Sequence, residues 1–219
     1  MNTDVWETLV AENPVIAVLV VDRAEDAVPL AEALLAGGVG AMELTLRTDA
    51  ALDALRLIRE NVPDMTAGAG TVLTRAQVRA VKEAGAHFAV APGLNPNVLE
   101  EATGQGIPFA PGIATPTDIE AALEFGCRIL KFFPAEPSGG LPYLESMAAP
   151  YKHLGLRFIP LGGLNEGNAG AWLGSPLVCA IGGSWLAPRN LIQEKKWDEI
   201  QKRAATAQAI AAEAKRKGV

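Results

Sequence analysis

One lysine interrupts an apolar run near the middle of the chain, the segment ILKFF at residues 129–133. A lysine inside a buried strand is costly, because its ammonium group loses its water. Loss of that water favours the neutral amine, and a neutral amine can attack a ketone and form a Schiff base. The alternative is a lysine with a buried stem whose charged head reaches solvent. Lys131 is therefore a candidate nucleophile.

A second polar set lies in the segment ELTLR at residues 43–47. Side chains alternate along a strand, so Glu43, Thr45 and Arg47 share one face and the apolar residues share the other. A carboxylate on the polar face could move protons, and a guanidinium could hold an anion with two parallel hydrogen bonds. The structural alternative is an internal pair between Glu43 and Arg47, which would be a weak stabiliser once desolvation is counted.

Glycine-rich turns follow several of the apolar runs. Gly68 and Gly70 would let a backbone approach a ligand, and Thr71 would add a hydroxyl beside them. Later in the chain come Gly162-Gly163 and Gly182-Gly183-Ser184. Bare backbone amides followed by a helix start are suited to a phosphate group, although tight turns alone would also explain the glycines.

These residues need elements that bring them together, and short β-branched runs alternate with helical patterns along the whole chain. The strand candidates are residues 15–21, 41–46, 65–69, 87–91, 107–110, 128–133, 157–161 and 177–181. The helix candidates are residues 24–36, 49–60, 74–84, 95–103, 115–125, 141–152, 166–173 and 189–215.

Eight β-then-α units in 219 residues predict an α/β fold closed as a (β/α)8 TIM barrel. No linker or low-complexity block is visible, so we expect residues 1–219 to form a single domain. An extra N-terminal helix at residues 3–12 is expected to cover the barrel floor. Chemistry on such barrels lies at the C-terminal ends of the strands, and Pro134 places Lys131 near that end.

Composition excludes several classes of function. The net charge is −6 and no basic run precedes residue 215, so we expect no nucleic-acid partner. No apolar stretch reaches the ~20 residues that span a membrane, and the acidic N-terminus does not resemble a secretory signal. Cys127 and Cys179 lie in apolar runs, which fits a reducing cytoplasm. His87 and His153 are far apart, so we expect no histidine-based metal site.

The longest motifs resemble those of a known family. Residues 38–47 are similar to the active-site signature of bacterial 2-keto-3-deoxy-6-phosphogluconate (KDPG) aldolases, which often also act on 4-hydroxy-2-oxoglutarate (KHG). Residues 126–136 are similar to their Schiff-base lysine signature. The resemblance continues through residues 68–73, 91–94 and 182–186 and covers nearly the whole chain.

The resemblance implies a class I aldolase that needs neither metal nor cofactor. It implies a homotrimer of (β/α)8 barrels that cleaves the phosphorylated keto acid to pyruvate and glyceraldehyde 3-phosphate. Lys131 would form the Schiff base and Glu43 would move protons. The residues implied in substrate binding are Arg47, Thr71 and Pro92 for the carboxylate, Phe133 for the pocket wall, and Gly162, Gly163, Gly182, Gly183 and Ser184 for the phosphate.

One position departs from the family pattern. Leu161 stands where the family commonly has threonine before the glycine pair, in a region that borders the hydroxyl-bearing part of the substrate. Because polar contacts to a substrate hydroxyl carry much of the selectivity between sugar epimers, the galactonate epimer or 4-hydroxy-2-oxoglutarate is an alternative main substrate.

Two further readings remain open, though both are disfavoured. The glycine loops alone would permit a phosphate-binding barrel without turnover, but such a module has no need of Lys131, Glu43 and Arg47 together. A metal-dependent aldolase would need a cluster of metal ligands, and the sequence has no visible cluster of that kind.

Overall fold

The computed structural model describes residues 3–217, with side chains from residue 5 onwards. Short strands alternate with helices along the described chain, which confirms the predicted α/β class. The strands are β1 (Val15–Leu19), β2 (Ala41–Thr45), β3 (Thr66–Gly70), β4 (Ala89–Val90), β5 (Phe109–Ala110), β6 (Gly112–Ile113), β7 (Ile129–Phe132), β8 (Arg157–Pro160) and β9 (Ile181–Gly183).

Capping residues begin several of the helices where the sequence predicts them. Thr74 and Thr115 form capping boxes and the Asn95 side chain accepts from a backbone amide, so each satisfies N–H groups that a helix start leaves unpaired. The helices are α1 (Thr3–Glu12), α2 (Ala27–Ala36), α3 (Ala51–Asn61), α4 (Arg75–Glu83), α5 (Pro96–Gly104), α6 (Pro116–Glu124), α7 (Gly140–Ala148), α8 (Ala169–Leu173), α9 (Arg189–Gln193) and α10 (Trp197–Lys217).

The strands form two curled parallel sheets. The larger sheet has the order β5-β4-β3-β2-β1-β9, and the smaller has the order β6-β7-β8. The sheets adjoin at Pro111, which has no N–H for a ladder and separates β5 from β6. They adjoin again where Phe158 of β8 makes a single bridge to Val178, just before β9 pairs with β1. The single eight-stranded ring of the prediction is thus observed as two sheets.

Several predicted elements differ from the structure in their bounds, and the last strand and the last helix are the clearest cases. The apolar run 177–181 predicts the last strand, yet β9 occupies Ile181–Gly183, because Leu177 and Cys179 bond to Phe158 of β8 and the ladder to β1 begins only at Ile181. Glycines have low β-propensity, which hides this strand from the sequence pattern. The helix predicted at 189–215 is split into α9 and α10, because Lys195 adopts a left-handed backbone with φ of 55°. No helix within residues 3–217 is long and apolar enough to cross a membrane.

Apolar side chains form two layers, one on each face of the curled sheets. The alternation of side chains along each strand decides which residue lies in which layer. Met42 and Leu44 of β2 and Phe132 of β7 face outward and pack against the helices in the large core cluster. Ile129 of β7 and Ile159 of β8 face inward and belong to a second, interior cluster. The predicted inward and outward faces of β2 and β7 are therefore confirmed.

Helix α1 packs against the interior cluster from one end of the strands and contributes Trp6, Leu9 and Val10 to it. Trp6 is buried, with its ring centroid 5.2 Å from that of Phe88, which precedes β4. Phe88 in turn occupies the space over Gly68, where any side chain would overlap its ring. The predicted N-terminal helix is confirmed, and it covers the end of the interior next to the starts of the strands.

Candidate active site

Lys131 is the third residue of β7 and points into the interior between the two sheets. Its side chain is 6% exposed, and its Nζ lies 3.2 Å from Oε1 and 3.4 Å from Oε2 of Glu43 on β2. The Glu43 side chain is 3% exposed. Residues 88 positions apart on different sheets therefore form one buried ion pair.

Two structural alternatives raised by the sequence are wrong. Glu43 pairs with Lys131 and not with Arg47, and the lysine head is bound to a buried carboxylate rather than extended into solvent. A buried pair of this kind is a weak stabiliser, since the cost of desolvating both charges offsets their attraction. Stability therefore does not account for the presence of the pair.

A glycine provides the space for the Glu43 carboxylate. Gly70, at the end of β3, faces inward, and a methyl group built on its Cα would lie 2.7 Å from Cγ of Glu43 and would overlap the carboxylate itself. The sequence predicts that Gly70 allows a ligand to approach the backbone. The structure shows instead that its missing side chain allows Glu43 to fold over β3.

Apolar side chains surround the ion pair. The Phe133 ring centroid lies 5.7 Å from the Lys131 Nζ, within cation–π range. Next to the pair is a cavity of about 10 Å³, room for a single water, which is lined by Leu161, Trp6 and Phe88 together with both members of the pair. The pair is therefore almost completely shielded from solvent, with 6% of the Lys131 side chain and 3% of the Glu43 side chain exposed.

Three more predicted residues follow neighbouring strands at this same end. Arg47, two residues after β2, is exposed, and its guanidinium has no hydrogen-bond or ion-pair partner in the part of the chain described here. Thr71, directly after β3, has a φ of 58°, a rare and strained value for a β-branched residue. Pro92 follows β4 and is half-buried. None of the three forms a hydrogen bond or an ion pair with Lys131 or Glu43.

The loop after β8 presents three consecutive amides. The carbonyl of Leu161 accepts from the Ala135 amide, and that of Gly162 accepts from the Glu136 amide. The carbonyl of Gly163 accepts from the side chains of Asn165 and Asn168.

In a trans peptide the N–H points opposite to the C=O of the same unit, so the amides of Gly162, Gly163 and Leu164 point away from these partners. Within residues 3–217 none of these three amides has an acceptor. Such a row of amides forms a concavity that suits an anion. We call residues 161–164 the amide loop.

The glycines after β9 are arranged differently. Gly182 faces inward, where a side chain would collide with Leu161, and Gly183 faces outward against Trp185. Ser184 is exposed beyond them. The predicted helix starts do not follow either glycine pair directly, because α8 begins at Ala169 and α9 at Arg189. The short helices α8 and α9 therefore begin several residues after the glycines and do not start at them.

Sequence reasoning missed the residues that shape the amide loop. Asn165 and Asn168 hold the Gly163 carbonyl, and the buried Trp172 donates from Nε1 to Glu136 at 2.7 Å. The pattern N-x-x-N after a glycine pair is typical of a side-chain-capped turn and could have indicated it. No cluster of three or more His, Cys, Asp or Glu side chains suited to a metal ion occurs among the described residues.

Comparisons with known proteins identify the family of this chain. The family model described as KDPG and KHG aldolase matches residues 6–203. The KHG/KDPG aldolase of Escherichia coli strain K12 is 43% identical over 201 residues, 92% of this chain and 93% of that protein. The 2-dehydro-3-deoxy-phosphogluconate aldolase of Treponema pallidum is 45% identical over 186 residues, 85% of this chain and 88% of that protein.

A solved structure is also similar. The KDPG aldolase of Legionella pneumophila, crystallised with pyruvate captured at low pH as a covalent carbinolamine intermediate, has a TM-score of 0.88 and 39% identity. The match covers 92% of this chain and 97% of that one. The parallel α/β fold and the buried lysine–carboxylate pair thus define a carbon–carbon lyase of the aldolase class. The chain belongs to the KDPG and KHG aldolase family.

The overlap between Gly70 and Glu43 yields a first prediction. Gly70→Ala should force the Glu43 carboxylate away from Lys131 and lower kcat by about 100-fold, since a shift of about 1 Å in a catalytic group can cost that much. Pyruvate release in a coupled assay measures kcat, and circular dichroism checks the fold. Gly104→Ala is the matched control, because a methyl group there meets nothing within 4 Å. A kcat for Gly70→Ala equal to that of the control would contradict the assignment.

Proposed function

We propose that this aldolase cleaves 2-keto-3-deoxy-6-phosphogluconate to pyruvate and glyceraldehyde 3-phosphate through a Schiff base on Lys131. The observation that carries the proposal is the buried contact of 3.2 Å between the Lys131 Nζ and the Glu43 carboxylate. It places a nucleophile and a proton acceptor within hydrogen-bond reach of each other. The covalent carbinolamine in the Legionella pneumophila relative supports the same route.

The first half of the reaction forms the Schiff base. Glu43 accepts a proton from the Lys131 ammonium, and the freed amine attacks the C2 ketone of the substrate. The resulting carbinolamine loses its hydroxyl as water when Glu43 returns a proton to that oxygen. The product is an iminium whose positive nitrogen withdraws electrons from the neighbouring carbon–carbon bonds, so this lysine supplies the electron sink and no separate cofactor is needed.

The second half breaks the bond between C3 and C4. Glu43, directly or through a water, takes the proton from the C4 hydroxyl, and the C3–C4 electron pair moves into the iminium to give an enamine. The aldehyde fragment leaves as glyceraldehyde 3-phosphate. Glu43 then delivers the proton that it took from the C4 hydroxyl to C3 of the enamine, and water hydrolyses the resulting iminium to release pyruvate and regenerate the Lys131 amine.

The remaining predicted residues have roles that match their positions. The free guanidinium of Arg47 can hold the substrate carboxylate with two parallel hydrogen bonds, with Thr71 and Pro92 forming the neighbouring wall. Phe133 covers one side of the Lys131 head. At the far end of the substrate, the amides of the amide loop, the Gly182-Gly183 backbone and the Ser184 hydroxyl would receive the phosphate.

We also propose that the two sheets act as one closed (β/α)8 barrel over a single domain. Pro111 and the Phe158–Val178 bridge lie at the two places where the sheets adjoin, and the ion pair spans the interior between them.

From the family resemblance we propose a homotrimer located in the cytoplasm. Burial raises the pKa of both the Cys127 and Cys179 thiols to about 11, which keeps them protonated and suits a reducing compartment.

Leu161 favours a second candidate substrate. Its side chain is buried in the interior cluster, presses against Gly182 and lines the cavity shared with Lys131 and Glu43. A leucine cannot form a hydrogen bond with a substrate hydroxyl. It therefore does not favour the gluconate configuration over its epimer at the hydroxyl-bearing carbon beside it. The galactonate epimer or 4-hydroxy-2-oxoglutarate would then be cleaved at a comparable or higher rate.

The Schiff base itself can be tested by chemical trapping. Borohydride reduction in the presence of pyruvate should add a stable mass to the peptide that contains Lys131. Lys131→Arg should abolish the label while leaving the charge opposite Glu43 in place, which avoids an unpaired buried carboxylate. Lys152→Arg, at an exposed position, is the control and should label like the native protein. A label on another lysine would show that the proposed mechanism is wrong.

The choice of substrate can be tested at Leu161. Leu161→Thr should raise the ratio of kcat/KM for the gluconate compound over its galactonate epimer by about tenfold, the worth of one hydrogen bond. Leu161→Val is the matched control, because valine has the shape of threonine without its hydroxyl. The panel includes 4-hydroxy-2-oxoglutarate. A native protein that already prefers the gluconate compound strongly, or a ratio that moves equally in both variants, would remove the role given to Leu161.

A further inference from the structure

Trp172 lies outside the reaction site, yet its indole is joined to the amide loop. The ring is buried on α8 and packs against Phe132, with centroids 6.2 Å apart, on the outward face of β7. Its Nε1 donates to Oε1 of Glu136 at 2.7 Å. Glu136 is otherwise an exposed residue in the turn after β7, so the indole hydrogen bond fixes a side chain that solvent would leave mobile.

Glu136 touches the amide loop in two ways. Its own amide donates to the Gly162 carbonyl at 3.0 Å. Because the Gly163 N–H belongs to the same trans peptide, it points away from Glu136. Its side chain also lies directly against Gly163, where a methyl group would come within 2.6 Å of the Glu136 Cβ and 2.9 Å of its Cγ. Both Gly162 and Gly163 have left-handed backbones, with φ of 97° and 85°. A pair of glycines has many other conformations, so this one must be held by its neighbours.

We propose that Trp172 is a positioning residue for phosphate binding: by holding Glu136, it presets the amides of the amide loop for the phosphate end of the substrate. This inference rests on the proposed function and goes beyond it, because Trp172 and Glu136 need not touch the substrate. An amide row fixed before binding loses less conformational entropy when the anion arrives, so affinity is gained without a new contact.

The structure separates this effect from the chemistry. Lys131 and Glu43 lie on β7 and β2 and face the interior, whereas Trp172 packs on Phe132 at the outward face of β7 and its indole bonds to Glu136. Loosening the amide loop should therefore weaken binding of phosphorylated substrate and leave the Schiff-base chemistry on pyruvate unchanged. A merely structural role of Trp172 in the core would instead affect both.

The test uses Trp172→Phe, which keeps an aromatic ring against Phe132 and removes the N–H donor. Its KM for the phosphorylated keto acid should rise about 2- to 10-fold, the range for one lost hydrogen bond, with kcat unchanged. Exchange of the pyruvate methyl protons in D₂O and cleavage of unphosphorylated 4-hydroxy-2-oxoglutarate should stay at native rates. Glu136→Ala should behave like Trp172→Phe, whereas Glu136→Gln keeps an oxygen acceptor and should behave like the native protein. Trp197→Phe, the same change at the half-buried first residue of α10, is the control and should alter nothing.

The outcomes distinguish failure of the positioning role of Trp172 from failure of the proposed aldolase function. If Trp172→Phe lowers all three activities together, or changes none, the positioning role is wrong. Gly163→Ala disturbs the amide loop directly and should raise the KM for the phosphorylated acid in either case, provided that the loop binds phosphate. If Gly163→Ala raises that KM and Trp172→Phe does not, phosphate binding stands and the proposal for Trp172 fails. Failure of the native protein to exchange pyruvate protons would overturn the proposed function itself.

Discussion

The rest of the site depends on one unfavourable arrangement, a lysine and a glutamate held together in an apolar interior. Removing both charges from water costs several kcal/mol per ion, and their attraction repays this cost only when the geometry is good. The fold supplies that geometry from parts far apart in sequence: β7 carries Lys131, β2 carries Glu43, and Gly70 of β3 leaves the space into which the carboxylate folds. Trp6 and Phe88 pack against each other beside the small cavity that the pair lines, which keeps this part of the interior apolar.

Much of this arrangement could be predicted from the sequence, because it follows from alternation along strands. The runs at 41–46 and 128–133 place Glu43 and Lys131 inward and their apolar neighbours outward, and the structure agrees at every one of these positions. Helix starts such as Thr74 and Thr115 were equally predictable, because a capping hydroxyl has a local hydrogen-bonding reason to be there.

The features that escaped prediction all depend on contacts between distant segments. The role of Gly70 appears only when the path of the Glu43 side chain is known, and the last strand is hidden because its glycines have no strand propensity. Pro111 has no N–H for a ladder, so a strand is divided there between two sheets. The periodicity of apolar residues gives no sign of this division. The hydrogen bonds from Trp172 and Asn168 likewise join segments that only the tertiary fold brings together.

The central claim is that Glu43 moves protons for Lys131, and Glu43→Gln tests it most directly. Glutamine keeps the shape and an oxygen acceptor for the lysine but cannot serve as the base. Exchange of pyruvate methyl protons in D₂O, followed by NMR, reports proton transfer at the enamine without requiring the phosphate site. The account predicts that exchange falls by about 10²- to 10⁴-fold in a folded variant, the usual contribution of a general acid–base group. Exchange at the native rate would show that another group moves the proton and would contradict the account.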